Sequence, residues 1–302
     1  MASTFKDVVS IIHSGLSDST TLRLNCEVNR IVNQTNGVVA VESANGFRGT
    51  FDDVIVTAPL GWLKRNESIF EPRLGRRVSL AIQNLGYGNL DKVFIRFPKA
   101  FWDAKCMEAD ACSPSPEKVT ASHFPIESLF LQPDYASKTN RAKWRQEIIS
   151  MSGLPGKFAQ PVIMFFVYGQ WGRHVTGLVR GMPQESVEYF KMLKENFEPY
   201  YSKLPNYQAA SADCRPLDIM LTDWQDDKYA GYGSFTNQPL HSGDGDQNFE
   251  ALTEGMGTDR GIWFAGEHTS PPGGLGTVTG AYWSGERVAK QVSRRHGITV
   301  DI

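Results

Sequence analysis

The stretch GIWFAGEHTSPPGGLGTVTGAYWSGERVAKQVSRR, residues 261–295, decides the fold of this chain. Residues 262–265 form a short apolar run, which is typical of a buried parallel strand. A loop rich in Gly and Pro follows, and from Val278 onward apolar residues recur at steps of three and four, which predicts a helix. This order of strand, loop and helix places unpaired backbone N–H groups where an anion or an electron-rich oxygen can bind.

Gly266 and Glu267 follow the predicted strand directly. A glutamate at this point can accept hydrogen bonds from the hydroxyls of a bound group, and Gly273, Gly274 and Gly276 let the backbone approach that group closely. Strand-to-helix turns rich in Gly occur in many α/β proteins, so the turn alone does not name a ligand.

The order FAGEHT followed by GTVTGAYWSGERVA closely resembles the C-terminal flavin-binding motif of the flavin-containing amine oxidases. That family includes polyamine oxidases, monoamine oxidases and lysine-specific histone demethylases. The resemblance implies FAD as the cofactor, with Gly266, Glu267, Thr277 and Val278 among its contacts. Glu267 would meet the ribityl or ribose side, and the Val278 N–H would meet the pyrimidine edge of the flavin. The implied reaction is amine oxidation by hydride transfer to flavin N5, followed by imine hydrolysis and reoxidation by O2.

A second motif lies in LGYGNLDKVFIRFPKAFWD, residues 85–103, where alternating residues predict a strand with two distinct faces. The resemblance implies that Lys92 is catalytic and holds a water next to flavin N5, where it can orient water or O2. A lysine at the start of a strand is more often solvated. The assignment of Lys92 therefore depends on the family motif around it.

Two further segments resemble the family. In WQDDKYAGYGSF, residues 224–235, the resemblance implies that Trp224 packs near the flavin ring and that Phe235 lines one wall of the amine pocket. In LNCEVNRI, residues 24–31, it implies that the backbone of Val28 meets the adenine of FAD, although a hydrophobic strand residue is usually only core. Thr277 stands where many members place a second substrate-facing aromatic, so the aromatic pair is incomplete.

The patterns along the chain predict an α/β fold of mixed helix and sheet. The turn signals Asn36-Gly37 and Asn45-Gly46 predict a β-meander near the start, which residues 51–57 (FDDVIVT) would close as a last strand. We expect an incomplete Rossmann-like FAD-binding domain in residues 1–80 and 233–302. Residues 81–232 would form a substrate domain, a mixed sheet flanked by helices.

The sequence contains no GxGxxG, the motif that holds the pyrophosphate in dinucleotide-binding domains. The resemblance covers roughly residues 20–296, but only the C-terminal part of the family. One hypothesis is an FAD-dependent amine oxidase whose N-terminal half comes from a separate chain, or which forms a homo-oligomer. The alternatives are a truncated flavin-free pseudoenzyme, a partner subunit or a scaffold for non-redox chemistry. Related flavin chemistry on carbon substrates is a third option.

The resemblance implies a small-molecule amine as the substrate, and composition gives no reason to expect nucleic acid or a membrane as a partner. The net charge of −2 over 302 residues gives no electrostatic case for nucleic acid, and no apolar run is long enough for a membrane helix. The N-terminus shows no signal peptide, so we expect a cytoplasmic protein. The four cysteines are scattered without metal-ligand spacing, so we expect no metal, and a disulfide between Cys106 and Cys112 is left open.

Overall fold

The computed structural model describes residues 4–34, 37–103, 124–239 and 245–299. The turn at Asn36 and the pair Cys106 and Cys112 lie outside the described residues. The chain divides into two compact units, the first formed by residues 1–88 and 226–302 and the second by residues 89–225. The domain functions expected from the sequence, with boundaries after residues 80 and 232, stay predictions.

The described helices and strands follow one another along both units. The helices are α1 (Thr4–Ser14), α2 (Leu60–Asn66), α3 (Arg76–Asn84), α4 (Gly169–Val179), α5 (Val187–Tyr201), α6 (Gly245–Glu254), α7 (Gly257–Arg260) and α8 (Val278–Arg295). The strands are β1 (Val28–Asn33), β2 (Val39–Ser43), β3 (Arg48–Phe51), β4 (Val54–Val56), β5 (Phe70–Glu71), β6 (Gly86–Gly88), β7 (Leu90–Arg96), β8 (Glu127–Phe130), β9 (Gln146–Ser150), β10 (Val162–Tyr168), β11 (Asp218–Leu221), β12 (Phe235–Asn237) and β13 (Ile262–Phe264).

The first unit contains the expected meander, with β1, β2 and β3 paired antiparallel and β5 added parallel to β1. The expectation that residues 51–57 form one strand was wrong. The chain breaks at Asp52 and Asp53, so that β3 ends before them and β4 begins a separate sheet. In that sheet β4 pairs in parallel with β13, and the first and last parts of the unit meet there.

The side chain of Asp53 explains this break. It accepts hydrogen bonds from Trp263 Nε1 at 2.7 Å and Arg295 Nη1 at 2.6 Å, and its other oxygen lies 2.6 Å from His296 Nε2. Burial alone would raise the pKa of the Asp53 carboxyl, but the hydrogen bonds from His296, Trp263 and Arg295 outweigh it and hold the pKa below its usual value. One carboxylate thus fastens the end of α8 to β4 and β13.

The core of the first unit forms where α2, α3 and α6 pack on the two sheets. Its fully buried side chains are apolar and include Leu60, Leu63, Ile82, Leu252 and Phe264. Burying such side chains is the main stabilising term in a domain of this size.

The second unit is built on a five-stranded sheet in the order β11-β7-β10-β9-β8. Its described pairings are all antiparallel, rather than mixed as expected. In β7, Val93 and Ile95 are buried in the core with α4 and α5, whereas Lys92 and Phe94 lie half-buried on the opposite face. The strand therefore has the two faces that its alternation predicted.

The α/β fold class expected from the sequence is confirmed. The apolar residues of helix α1 are exposed, among them Phe5, Val9 and Ile11. Within the described ranges, none of the helices has both the length and the apolar character that crossing a membrane requires.

Replacing Asp53 tests the account of how β4, β13 and α8 are held together. Asp53→Asn should lower the free energy of unfolding by about 2 kcal/mol at neutral pH, because charged hydrogen bonds are lost from a nearly buried group. Urea denaturation followed by circular dichroism measures this. The neighbouring exposed change Asp52→Asn should alter it by less than about 0.5 kcal/mol.

The stability difference between wild type and Asp53→Asn should depend on pH. The folded pKa of Asp53 lies below its unfolded value, so its contribution is complete above the unfolded pKa and is lost as the pH falls through the folded pKa. The stability difference between wild type and Asp53→Asn should therefore shrink below about pH 4. A difference that is constant down to the folded pKa of Asp53 and below it would contradict this assignment.

Candidate functional site

The turn after β13 requires glycine at position 266. Gly266 has φ of +130°, and a Cβ on it would lie 2.7 Å from Cε1 of the buried His268. Its N–H donates to Ser284 Oγ in α8 at 2.8 Å. The backbone therefore leaves the strand in a conformation that only glycine adopts readily, and the start of the loop is tied to the last helix.

The Glu267 carboxylate holds the loop to a neighbouring strand. One oxygen accepts from Thr236 N at 3.2 Å and Thr236 Oγ1 at 2.6 Å, and the other accepts from Gly276 N at 2.7 Å. A carboxylate offers about four lone-pair sites, so about one is left for a further donor. Glu267 is thus first a positioning residue, and its contact with a bound cofactor stays a prediction.

Phe235 lies against the same loop. Gly276 has φ of +67°, and a Cβ on it would lie 3.2 Å from Phe235 Cδ2. Phe235 directly precedes Thr236 in β12. The hydrogen bonds from Thr236 to Glu267 therefore also hold Phe235 beside the loop. The structure therefore brings the predicted substrate residue Phe235 next to Glu267 and the glycine loop.

The start of α8 is capped by Thr277. Its hydroxyl accepts from Gly280 N at 2.9 Å and donates to Gly274 O at 2.7 Å, so its proton and one of its two lone pairs are used inside the protein. The N–H groups of Val278 and Thr279 have no hydrogen-bond acceptor among the residues that the structure describes. Val278 is 55% exposed, so these two N–H groups are available to an electron-rich oxygen.

Val28 lies in a separate part of the first unit. It lines a cavity of about 830 Å³ whose walls are mostly apolar and include Val54, Val56 and Trp62, with Glu27 at its edge. Neither Glu267 nor Val278, both described residues, belongs to this wall. The structure therefore places the predicted adenine contact in a cavity of suitable size, but not in contact with the Glu267 cluster.

In the second unit, buried Asp91 links the two predicted residues Lys92 and Trp224. Its carboxylate accepts from Thr222 Oγ1 at 2.9 Å, Trp224 N at 2.9 Å and Gln225 Nε2 at 3.0 Å. The Lys92 N–H donates to Thr222 Oγ1 at 2.9 Å, and Thr222 N donates to Lys92 O at 3.0 Å. Lys92 and the backbone of Trp224 are therefore fixed on one hydrogen-bonded cluster.

The Lys92 side chain extends over the half-buried face of the sheet. Its Nζ lies 5.8 Å from the ring centroid of Phe166, its cross-strand neighbour. Burial lowers the pKa of the Lys92 ammonium, and the charge of Asp91 opposes this only in part. No carboxylate of the described chain pairs with Nζ, so the ammonium has donors available for a water or a ligand.

Three supporting residues were missed from the sequence: Asp91, Thr236 and Ser284. Asp91 lies at an inward position of β7 and is fully buried, which the alternation of that strand could have indicated. The partners of Thr236 and Ser284 are set by tertiary contacts, and no local pattern marks them.

The residues present fit the isoalloxazine end of a flavin. The free N–H groups of Val278 and Thr279 suit the electron-rich oxygens of the pyrimidine ring, and the glycine loop lets a ligand approach the backbone. The pyrophosphate motif GxGxxG is not among the 302 residues, so the fit concerns the ring end alone.

The family model described as flavin containing amine oxidoreductase matches residues 12–293. The chain belongs to this family. Membership confirms the resemblance seen in residues 261–295 and makes the chain a relative of oxidoreductases that contain flavin.

Curated relatives carry several names. The chain is 28% identical over 296 residues to the lysine-specific histone demethylase 1B homolog of Caenorhabditis elegans, covering 94% of this chain and 30% of that protein. It is 42% identical over 81 residues to probable polyamine oxidase 4 of Arabidopsis thaliana, covering 27% and 16%. It is 24% identical over 279 residues to the corticosteroid-binding protein of Candida albicans, covering 87% and 50%. The chain thus spans half of these proteins or less.

Thr277 offers a direct test of the capped helix start. Thr277→Ala should lower the free energy of unfolding by about 1 kcal/mol, because the Gly280 N–H loses its acceptor. Thr277→Ser keeps the hydroxyl and should recover most of that loss. Thermal and urea unfolding measure the effect, with Thr279→Ala on the same exposed turn as the control. Equal losses from Thr277→Ala and Thr279→Ala would exclude the cap.

Proposed function

We propose that this chain provides the ring-binding part of an FAD-dependent amine oxidase. The observation that carries the proposal is the start of α8, where Val278 and Thr279 present free N–H groups beside the loop that Glu267 holds. Bound there, the flavin would supply the two-electron oxidation of a carbon–nitrogen bond, with O2 as the final oxidant.

The residues of the first unit would bind and orient the ring. The N–H of Val278 would donate to an oxygen of the pyrimidine edge, where the partial positive charge of the helix start adds to the interaction. Thr277 would act chiefly through the helix cap, since its hydroxyl proton and one of its two lone pairs are already used. Glu267 would keep the loop in place and offer its remaining lone pair to a ribityl hydroxyl.

Lys92, in the second unit, would hold a water molecule by a hydrogen bond from its ammonium group. Its ammonium is half-buried, has a lowered pKa and has no carboxylate partner in the described chain. A water bonded to Nζ would be positioned for hydrolysis of the imine product or for contact with O2. The Asp91 cluster would fix the strand from which Lys92 extends.

A pyrophosphate site must be added to this arrangement for tight binding of FAD. We propose that a segment carrying GxGxxG supplies it, from another chain or from a further part of the same polypeptide. The 830 Å³ cavity at Val28 would then take the adenine end. Self-association of the chain is the remaining alternative for completing the site.

Phe235 would form one wall of the substrate pocket. It packs on Gly276, and Thr277 follows where a second aromatic stands in many members. With one aromatic wall instead of two, the pocket would be wider and more polar, which favours an aliphatic amine over a flat aryl amine.

Binding without oxidation is a second candidate function. It is favoured by the apolar wall of the Val28 cavity, which suits a flat apolar ligand. The relative from Candida albicans is named for binding corticosteroids, which are ligands of that kind. Flavin-free protein that binds such a ligand would favour this candidate.

Lys92→Met tests the proposed reaction. In the presence of FAD and a panel of aliphatic amines, wild type should form hydrogen peroxide, and the variant should do so at least tenfold more slowly. Methionine keeps the length of the side chain and removes its donors. No peroxide from wild type with any amine would contradict the proposal for this chain.

Lys64→Met is the matched control. Lys64 is also partly buried with a pKa lowered mainly by burial, but its ammonium is bound to Gln83 O at 2.8 Å in the first unit. Losing it should affect stability and leave the peroxide rate within about twofold. Equal slowing by both changes would mean that Lys92 has no special role in the reaction.

A further inference from the structure

A second pocket, of about 530 Å³, lies in the second unit between the loop of residues 138–144 and helices α4 and α5. It is distinct from the half-buried sheet face that carries Lys92. Two cationic side chains, Lys138 and Arg141, line it together with His174 and the indole of Trp144. Its described wall contains no carboxylate.

The loop that forms this pocket is held by a buried side chain. Asn140 is fully buried, donates to Trp144 O at 2.8 Å and accepts from Trp144 N at 3.0 Å. It also donates to Tyr200 OH at 2.9 Å, which anchors the loop to α5. The loop is therefore closed by hydrogen bonds before any ligand arrives, so that little ordering cost is left for binding.

The aromatic wall is also fixed. The ring centroids of Trp144 and Trp171 are 5.4 Å apart. The Trp171 ring stacks on His174 with 5.5 Å between the centroids and an angle of 19° between the ring planes. The Trp171 indole donates to Gln146 Oε1 at 2.9 Å inside the core. Trp144 thus presents a half-buried ring at the pocket on a rigid support.

The charge at the pocket is strongly positive. Residues 138–145 (KTNRAKWR) contain four basic residues and no acidic one. One of the four, Lys143, pairs with Asp134 at 2.6 Å and does not line the pocket. Lys138 and Arg141, which do line it, form no ion pair with a carboxylate among the described residues. In a chain of net charge −2, this patch creates a local positive potential that attracts anions.

We propose that this pocket binds a small phosphorylated ligand that carries a flat ring, a nucleoside monophosphate being the simplest example. The phosphate would lie on Lys138 and on the planar fork of Arg141, which matches phosphate oxygens in pairs. The ring would stack on Trp144. The volume fits a ligand of this size, and the proposal does not depend on flavin binding.

Isothermal titration of the full chain with AMP tests the proposal. Saturable binding with a Kd below about 1 mM is expected. Adenosine and inorganic phosphate should each bind at least about tenfold more weakly, because each lacks one of the two contacts. Absence of heat from AMP at millimolar concentration overturns the proposal, and phosphate binding as tightly as AMP overturns the role of Trp144.

Arg141→Ala should weaken AMP binding about tenfold or more, and Arg141→Lys should restore part of it, because lysine keeps the charge without the fork. Arg141 is exposed, so neither change should alter folding, which the thermal midpoint checks. Lys191→Ala, which removes an exposed charge from α5, is the matched control and should leave AMP affinity unchanged. Equal affinities for wild type and Arg141→Ala would overturn the proposal.

Trp144→Phe separates stacking from charge. The smaller ring keeps the apolar contact with Trp171 and offers less area to a base, so AMP affinity should fall while phosphate affinity stays the same. An AMP affinity that is the same in Trp144→Phe and in wild type would overturn the stacking of a base on Trp144.

Discussion

The hydrogen bonds to the Glu267 carboxylate are the interaction on which the candidate site depends. They join Thr236 of β12 to Gly276 of the glycine loop, and so place Phe235 beside the start of α8. The loop would not keep one conformation without these bonds. Gly266 and Gly276 both have positive φ, and glycine can adopt many other backbone conformations as readily. A charged acceptor that bridges two elements removes those alternatives.

The second unit uses a carboxylate in the same way. Asp91 is fully buried and gathers Thr222, Trp224 and Gln225, while Thr222 fixes the backbone of Lys92. Burial raises the pKa of Asp91, and the hydrogen bonds from Trp224, Thr222 and Gln225 oppose that rise. The side chain of Lys92 remains without a carboxylate partner in the described chain, as a residue that is to bind water should be. In each unit a supporting acid positions the groups that would touch ligand.

The sequence predicted the local helices and strands better than the tertiary contacts between them. Residues 261–295 form the expected strand, loop and helix because an apolar run and a helical period are local signals. The break at Asp52 and Asp53 was missed because it depends on Trp263 and Arg295, more than 200 positions away. Thr277 was assigned to ligand contact, although a threonine directly before a helical pattern also indicates an N-cap. The roles toward ligand of all the predicted site residues stay predictions, those of Lys92, Glu267 and Thr277 included.

The central claim is that this chain holds the ring of a flavin. The most direct measurement is the visible absorption spectrum of FAD titrated with the purified chain, recorded without removing unbound flavin because the pyrophosphate motif is not among the 302 residues. We expect saturable perturbation of the flavin bands by the N–H groups at Val278 and Thr279. Flavin bands that stay unchanged up to millimolar protein would contradict the claim.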